Sequence, residues 1–220
     1  MKKCFIFGAL DIDAENLNFN KNDGDIIIAA DNGLKTLKAL NIQPDIIIGD
    51  FDSLGYVPKG DNVIKHPIIK DDTDTLLCIK KAFELGFRYF EIFGCLGGRL
   101  DHTFANIQTA SYVAENNGIA VFYDSNFKTS LTVIKNNCIS FSSECKGNIS
   151  VFSVSDKSYG VTEKGLLYEV IDCELSSDFP LGVSNEFKGI KSFISVTQGK
   201  LCIIWDNISG NFFIGGNYDK

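Results

Sequence analysis

The sequence predicts an α/β N-terminal domain with a mostly parallel sheet and flanking helices, followed by an all-β C-terminal sandwich domain. In residues 1–126, short β-branched or aromatic runs alternate with stretches of helical period, which is typical of a parallel sheet with crossover helices. From about Thr129 the helical period disappears, and short runs rich in Val, Ile, Ser and Phe recur between glycines or polar pairs. We therefore place the domain boundary between residues 126 and 127.

The first half contains six predicted strands and three predicted helices. Ile26–Ile28 and Ile46–Ile48 are apolar on both faces, as is typical of central strands in an α/β sheet. Leu34, Leu37 and Leu40 have the spacing of one helix face. The predicted strands are Cys4–Phe7, Asp25–Ala30, Ile46–Gly49, Val63–Lys65, Tyr89–Phe93 and Ala120–Tyr123, and the predicted helices are Gly33–Leu40, Thr73–Leu85 and Asp101–Asn116.

The second half is predicted to contain short strands only, joined by turns. Their number and spacing indicate an antiparallel sandwich. The predicted strands are Ser130–Ile134, Cys138–Phe141, Ile149–Val154, Leu166–Ile171, Lys191–Val196, Leu201–Trp205 and Phe212–Ile214.

Composition excludes several classes of protein. The 220 residues are 45% hydrophobic and carry a formal charge of −7, which disfavours a general nucleic-acid binder because such proteins usually present a basic surface. The apolar run Cys4–Leu10 is short for a signal peptide or a membrane span, so we expect a cytoplasmic protein without a membrane partner. The seven cysteines show no Cys-x-x-Cys spacing, which argues against a zinc site or a disulfide framework.

Acidic residues follow two of the predicted central strands. The strand Asp25–Ala30 runs into Asp31-Asn32-Gly33, and the strand Ile46–Gly49 runs into Asp50-Phe51-Asp52-Ser53. Ligands of open parallel sheets bind outside the carboxyl ends of the strands, so these acids are expected at a ligand site.

A third acidic motif, Lys70-Asp71-Asp72-Thr73-Asp74, opens a predicted helix, which either Asp72 or Thr73 could cap. Carboxylates that converge on one point repel each other unless a cation lies between them. Oxygen donors without histidine or thiolate favour Mg²⁺, which completes its coordination with water and substrate phosphates. The three motifs together therefore predict a magnesium site.

A glycine-rich loop, Gly94–His102, lies between a predicted strand and the third predicted helix. Its glycines let the backbone approach an anion, and the helix start presents free N–H donors. Arg99 adds a planar set of donors suited to phosphate oxygens. Acids for magnesium and donors for phosphate indicate phosphoryl or nucleotidyl transfer from a nucleoside triphosphate. We assign neither His102 nor His66 as the catalytic base.

Together these motifs resemble those of the thiamine pyrophosphokinase family. The resemblance covers essentially the whole chain and extends to Gly182-Val183-Ser184-Asn185-Glu186-Phe187, which is similar to the family's Ser-Asn segment. The motifs that carry it are, in chain order, Ala30–Gly33, Gly49–Ser53, Lys70–Asp74 and Gly97–His102.

The resemblance implies an enzyme that transfers the pyrophosphoryl group of ATP to the hydroxyl of thiamine with magnesium, giving thiamine diphosphate and AMP. It implies that residues 1–126 form the ATP- and magnesium-binding catalytic domain and residues 127–220 the thiamine-binding sandwich. A homodimer is implied as well, with the active site at the subunit interface.

The resemblance also assigns roles to individual residues. The metal ligands would be Asp50, Asp52 and Asp74, and thiamine would contact Ser184, Asn185 and Phe187, the last through stacking on a cationic ring. The catalytic set would comprise Asp50, Asp52, Asp74, Arg99 and Asp101. The nucleotide would be bound by Asp31, Asn32, Lys70, Thr73, Gly97, Gly98, Arg99 and Asp101.

One position departs from the family pattern. The first motif usually reads Asp-Gly-Gly, whereas this chain has Asn32 in place of the middle glycine. Because Asn tolerates left-handed backbone geometry, we expect the turn to be kept.

Three alternatives stay open at this point. A related pyrophosphokinase could use a hydroxymethylpterin, although the Ser184–Phe187 segment and the second domain favour thiamine. A phosphatase with Asp50 as nucleophile is disfavoured because that class carries Asp-x-Asp after its first strand, and here the motif follows the third. A non-enzymatic nucleotide- or thiamine-binding module would not need so many carboxylates facing a polyanion.

Overall fold

The computed structural model describes residues 1–17, 19–52, 54–66 and 72–215. Contacts divide the chain into two compact units. The first comprises Met1–Thr109 with Ala120–Phe127, and the second comprises Ala110–Ile119 with Lys128–Lys220.

The first unit is built on a mostly parallel sheet with helices, as predicted. The strands are β1 (Lys3–Phe7), β2 (Ile26–Ala30), β3 (Ile46–Gly49), β4 (Val63–Lys65), β5 (Tyr89–Leu96) and β6 (Ile119–Asp124). The helices are α1 (Gly33–Ala39), α2 (Asp74–Glu84) and α3 (Leu100–Glu115), of which the residues from Ala110 onward are counted with the second unit. The strand order is β6-β5-β1-β2-β3-β4, and the pairs from β5 to β4 are parallel. The carboxyl ends of β5, β1, β2 and β3 therefore lie at one edge of the sheet.

Apolar side chains of the central strands form the core of this unit. Phe5, Ile27 and Ile47 come from three neighbouring strands, and Leu34 and Leu37 of α1 pack with them. Because the central strands are buried on both faces, their sequences lack the polar alternation of a half-exposed strand.

The second unit contains two antiparallel sheets. Its strands are β7 (Thr129–Lys135), β8 (Cys138–Phe141), β9 (Asn148–Ser153), β10 (Lys157–Lys164), β11 (Val170–Ser176), β12 (Gly182–Glu186), β13 (Ser192–Ser195), β14 (Lys200–Asp206) and β15 (Phe212–Ile214). One sheet has the order β12-β9-β14-β7, and the other has the order β11-β10-β13-β8-β15. The predicted sandwich is confirmed.

Three details of the predicted strands are wrong. Lys157–Lys164 forms β10 and was not among the predicted strands; Gly160 and five polar or charged side chains leave it without a clear apolar run. The predicted strand Leu166–Ile171 crosses a turn, and regular pairing resumes only at Val170. Gly182–Glu186 was not among the predicted strands, yet it forms β12 and pairs with β9 at a sheet edge.

Among the residues that the structure describes, no helix is both long enough and apolar enough to cross a membrane. All seven cysteines are free thiols, and six of them are buried. Burial raises the pKa of the Cys95 thiol to about 11 and that of Cys202 to about 12. These thiols are therefore protonated near neutral pH.

Candidate active site

A cleft of about 680 Å³ lies at the carboxyl ends of the parallel strands in the first unit. Asp31 follows β2, Asp50 and Asp52 follow β3, and Asp74 begins α2; all four line this cleft. Arg99, which follows β5, lines it as well. The structure thus brings together acidic residues that are up to 43 positions apart in the sequence.

The Asp31 backbone connects two of the acidic motifs. Its N–H donates a 2.7 Å hydrogen bond to the carbonyl oxygen of Ile48, and its own carbonyl accepts from Leu34 N at 3.2 Å. Gly49 lies against Asp31 so closely that a Cβ at Gly49 would stand 3.0 Å from Asp31 Cα. The two motifs are therefore held next to each other by the backbone.

Phe51 fixes the loop that carries Asp50 and Asp52. Its φ of +65° lies in the left-handed region, which is unusual for a bulky residue. Its ring is buried in the core and anchors the loop there. Asp50 is half-buried and Asp52 is exposed, so the two carboxylates stand at the surface of the cleft while the ring between them points inward. Such unfavourable backbone angles concentrate at functional sites.

The third acidic motif has one structural acid and one hydroxyl cap. Asp72 forms an ion pair with Lys80, with Nζ 2.7 Å from Oδ2. The Thr73 hydroxyl caps α2 by accepting a 3.3 Å hydrogen bond from Leu76 N. Of the two candidate caps, Thr73 therefore fills the role. Asp74 stands in the first turn, where a carboxylate is stabilised by the helix dipole. Lys70, which is predicted to bind the nucleotide, lies outside the described residues.

The glycine-rich loop has left-handed backbone at Gly94, Gly97 and Gly98, with φ values of +65°, +85° and +65°. A Cβ at Gly94 would stand 2.6 Å from the carbonyl oxygen of Leu10, so only glycine fits there. The hydroxyl of Thr103 accepts a 3.2 Å hydrogen bond from Gly97 N and closes the loop onto α3. The loop is therefore shaped by its own glycines.

Arg99 and Asp101 form a two-point ion pair at the start of α3. Arg99 Nε donates to Asp101 Oδ1 at 3.1 Å, and Nη2 donates to Oδ2 at 2.6 Å. Both side chains are exposed. The hydrogen bonds to Arg99 lower the pKa of the Asp101 carboxyl and raise the pKa of the guanidinium. The pair gives the guanidinium a two-point contact at the rim of the cleft.

Residue 32 does not adopt the predicted left-handed geometry. Asn32 has φ −64° and ψ −14°, which is ordinary right-handed backbone, and the left-handed residue is Asp31 with φ +46°. The Asn32 side chain donates a 3.3 Å hydrogen bond to Ala9 O instead. A side chain at position 32 therefore causes no backbone strain. The turn is kept because Asp31 adopts the left-handed backbone, and not because Asn32 tolerates it as expected.

Several residues of the cleft were not predicted. Gly8, Ala9 and Leu10 follow β1 and line the cleft. They could have been predicted, because ligands of open parallel sheets bind outside the carboxyl ends of the strands, as was argued for β2 and β3. Asn106 lines it too; it is buried and donates a 2.6 Å hydrogen bond to Cys95 O. No signal in the sequence singled out Asn106, since its role depends on where α3 meets the end of β5.

The predicted thiamine contacts all lie in the second unit, on or next to β12. Ser184 is exposed and left-handed, with φ +59°, at a register shift between β12 and β9. Asn185 is buried. Phe187 is half-buried and packs edge-on against Phe141, with ring centroids 5.1 Å apart. Part of the Phe187 ring thus contributes to the interior of the sandwich.

Comparison with protein families identifies the chain. The model for the thiamin pyrophosphokinase catalytic domain matches residues 19–123, and the model for the thiamin pyrophosphokinase vitamin B1 binding domain matches residues 136–201. The chain belongs to the thiamine pyrophosphokinase family. Both matches follow the order of the two predicted domains.

Individual members of the thiamine pyrophosphokinase family are similar over most of the chain. The thiamine pyrophosphokinase of Bacillus subtilis is 28% identical over 191 residues, which cover 80% of this chain and 85% of that protein. A crystal structure from the same organism superposes with a TM-score of 0.78 at 23% identity and covers 94% of this chain and 100% of its own. The thiamin pyrophosphokinase structure from Geobacillus thermodenitrificans gives 0.75 at 25% identity, with coverages of 94% and 98%. The fold of the family therefore extends across both units.

Proposed function

We propose that this protein transfers the pyrophosphoryl group of ATP to the hydroxyl of thiamine, releasing AMP. The observation that carries the proposal is the cleft in which Asp31, Asp50, Asp52 and Asp74 lie with Arg99 at the carboxyl ends of parallel strands. Four carboxylates in one cleft repel a polyanionic substrate. Such a substrate can bind there only when cations lie between the carboxylates and its phosphates. Family membership supplies the identity of the two substrates.

The nucleotide side of the site is proposed to use the glycine loop and the guanidinium. Two of the five N–H donors of Arg99 bind Asp101, which leaves three for phosphate oxygens. Because Asp101 fixes the plane of the guanidinium, less rotamer entropy is lost when a phosphate binds. Asp101 is thus proposed to act through Arg99. Asn32, Thr73, Gly97 and Gly98 would surround the same phosphates, as would Lys70.

The carboxylates of the cleft fit a magnesium ion by donor chemistry. Among the described residues, no group of three or more His, Cys, Asp or Glu side chains is arranged to coordinate a metal ion. Mg²⁺ completes its coordination with water and substrate phosphates, so the proposed site needs ATP as well as protein carboxylates. Asp50, Asp52 and Asp74 would hold the ion. When bound, magnesium supplies positive charge that neutralises phosphate oxygens.

The residues of the chain are proposed to act by positioning and by charge. Phosphoryl-group transfer asks for little covalent work from the protein, and alignment of the acceptor hydroxyl with the β-phosphorus dominates. Arg99 and Lys70 would stabilise charge on the transferring group. Ser184 presents its hydroxyl to solvent from a left-handed bulge, which suits a direct contact with thiamine.

A homodimer with the active site at the subunit interface is part of the proposal. Exposed large apolar side chains are concentrated in one segment of the second unit, around the edge strands β11 and β12. Such surfaces commonly mark protein interfaces. The seven side chains are Leu167, Tyr168, Ile171, Phe179, Leu181, Val183 and Ile190. A cytoplasmic location is proposed as well.

The decisive experiment measures AMP release by the purified protein with ATP and Mg²⁺. Thiamine is the acceptor in one reaction and a hydroxymethylpterin in the other. AMP formation with thiamine, together with thiamine diphosphate identified by mass spectrometry, is expected. AMP with the pterin alone would overturn the proposal, and AMP in neither reaction would leave a non-enzymatic binding module.

A further inference from the structure

A buried carboxyl that forms no ion pair with any described residue lies in the second unit. Glu163 of β10 is 3% exposed, and none of the ion pairs found among the described residues involves it. It sits inside the sheet, opposite Val170 of β11 and Ile194 of β13. Burial raises its pKa to about 7. A carboxyl is expensive to bury in this way, so its contacts indicate what it does.

The contact of Glu163 is Asn185. Asn185 Nδ2 donates a 3.1 Å hydrogen bond to Glu163 Oε2 and a 2.7 Å hydrogen bond to the carbonyl oxygen of Tyr168. Asn185 Oδ1 accepts from the main-chain N–H groups of Tyr168 and Glu186, both at 2.9 Å. Both amide hydrogens and both lone pairs of Asn185 are therefore engaged inside the protein.

This arrangement joins two segments that are distant in sequence. The turn after β10 bears Tyr168, whose side chain is 66% exposed, and it is tied to β12 by the hydrogen bond from Leu167 N to Glu186 O. Ser184 precedes Asn185 on β12, and its N–H donates to Ser150 Oγ at 3.1 Å. Asn185 thus binds the main chain of the residue that bears an exposed aromatic ring, and it directly follows a residue that is exposed and bears a hydroxyl.

We propose that Glu163 and Asn185 form a buried positioning pair, which holds the Tyr168 turn and the Ser184 bulge in place for thiamine recognition. Glu163 fixes the orientation of the Asn185 amide, and Asn185 acts through its internal hydrogen bonds rather than by touching thiamine. This inference rests on the proposed function, and it replaces the direct thiamine contact predicted for Asn185 with an indirect role. Tyr168 becomes a residue of the recognition surface.

The test compares two substitutions of Glu163. Glu163→Gln keeps an oxygen acceptor for Asn185, whereas Glu163→Met keeps the length of the side chain and removes the acceptor. A buried amide hydrogen without an acceptor is costly, so Glu163→Met is expected to raise the KM for thiamine about tenfold. The KM for ATP and kcat should stay within about twofold. Glu163→Gln should retain the wild-type KM for thiamine.

Hydrogen–deuterium exchange supplies a readout that does not depend on thiamine. The amides of Tyr168 and Glu186, which bind Asn185 Oδ1, should exchange about tenfold faster in Glu163→Met and at the wild-type rate in Glu163→Gln. Ser130→Ala is the control, since Ser130 is another buried polar residue of the sandwich and is outside this network. If Glu163→Met does not fold, Glu163→Leu takes its place.

Three results would overturn the inference: unchanged exchange in a folded acceptor-free variant, an unchanged KM for thiamine in that variant, or equal damage from Glu163→Gln. Failure of the proposed function has a different signature. The wild-type protein would then release no AMP with thiamine, while the exchange experiment would still report whether the pair positions the turn.

Discussion

The main-chain N–H of Asp52 donates a 3.1 Å hydrogen bond to Oδ1 of Asp50. This contact folds the loop after β3 back on itself, so that two carboxylates separated by one residue both line the cleft. The hydrogen bond uses the backbone of Asp52 and leaves the Asp52 side chain to the site. The loop can therefore lose the Asp52 charge without losing its shape.

Neutralising Asp52 or Asp74 should abolish turnover. We expect Asp52→Asn and Asp74→Asn to lower kcat/KM for thiamine at least about 100-fold, because the lost charge is the one proposed to hold magnesium against ATP. Unfolding curves should stay close to that of the wild type. Asp61→Asn changes the net charge equally at an exposed position and serves as the control. A near-normal rate in either variant would remove that residue from the metal site.

Removing the buried ring between the two acids should damage both stability and activity. Phe51→Ala is expected to lower the free energy of unfolding by about 3–5 kcal/mol, since it leaves a cavity in the core. It should lower kcat as well, because the loop loses its anchor. Phe104 is 61% exposed, so Phe104→Ala is the matched comparison for stability. Urea unfolding of both variants provides the measurement, and equal curves would contradict the anchoring role.

Gly33 tests the close approach of α1 to the end of β1. Alanine favours a helix over glycine by about 1 kcal/mol, so Gly33→Ala would stabilise the protein if there were room. A Cβ at Gly33 would collide with the carbonyl oxygen of Phe7, and we therefore expect lower stability. At Gly55 an added Cβ meets nothing within 4 Å, and only the φ of +71° opposes alanine there. Gly55→Ala should cost about 1–2 kcal/mol. A rise in melting temperature for Gly33→Ala would refute the collision.

The Glu163 carboxyl should make the protein less stable as the pH rises from about 4.5 to 7. Its pKa is about 7 in the folded protein against an ordinary value of 4.5, so within this range the folded state binds more protons than the unfolded state. Below the range both states are protonated and no cost arises. Above it the cost reaches about 3 kcal/mol.

Glu163→Gln removes this titration. We expect the variant to be more stable than the wild type at pH 8 and equal to it near pH 4, as measured by urea unfolding at both pH values. A difference between the two proteins that does not change with pH would show that Glu163 titrates normally in the folded state.

The apolar segment around β11 and β12 should control assembly. Ile171 is 67% exposed, and Ile171→Lys would place a charge in the proposed subunit interface. We expect light scattering to give a dimer mass for the wild type and a monomer mass for the variant. Phe213→Lys introduces the same charge at a side chain that is 65% exposed on β15, outside that segment, and should leave the mass unchanged. A dimer that survives Ile171→Lys places the interface elsewhere.

The first unit was predictable because its central strands are short apolar runs, and two of them, β2 and β3, run directly into acids. Such strands are fixed by local composition, and the parallel arrangement then places Asp31 and Asp50 at the same edge without further information. The sandwich was less predictable. β10 and β12 form because partner strands supply hydrogen bonds, although the composition of Gly182–Glu186 favours a turn.

The internal role of Asn185 could not be predicted from its motif. Its hydrogen-bond partner Glu163 lies 22 residues away, on a strand that was not predicted. The identity of the cap on α2 also required the structure, since Asp72 and Thr73 are equally suited by residue type. In the structure, Asp72 forms an ion pair with Lys80, and Thr73 caps the helix. The sequence spacing of Asp72 and Lys80 did not indicate this ion pair.

The geometry of residues 31–33 has a practical consequence for finding related chains. The loop needs a residue that accepts left-handed backbone first and a residue without a side chain third, and it places no such demand on the second. A genome search that requires Asp-Gly-Gly discards chains like this one, whereas Asp-x-Gly retains them. The second position can therefore carry different side chains into the lining of the cleft at no cost in backbone strain.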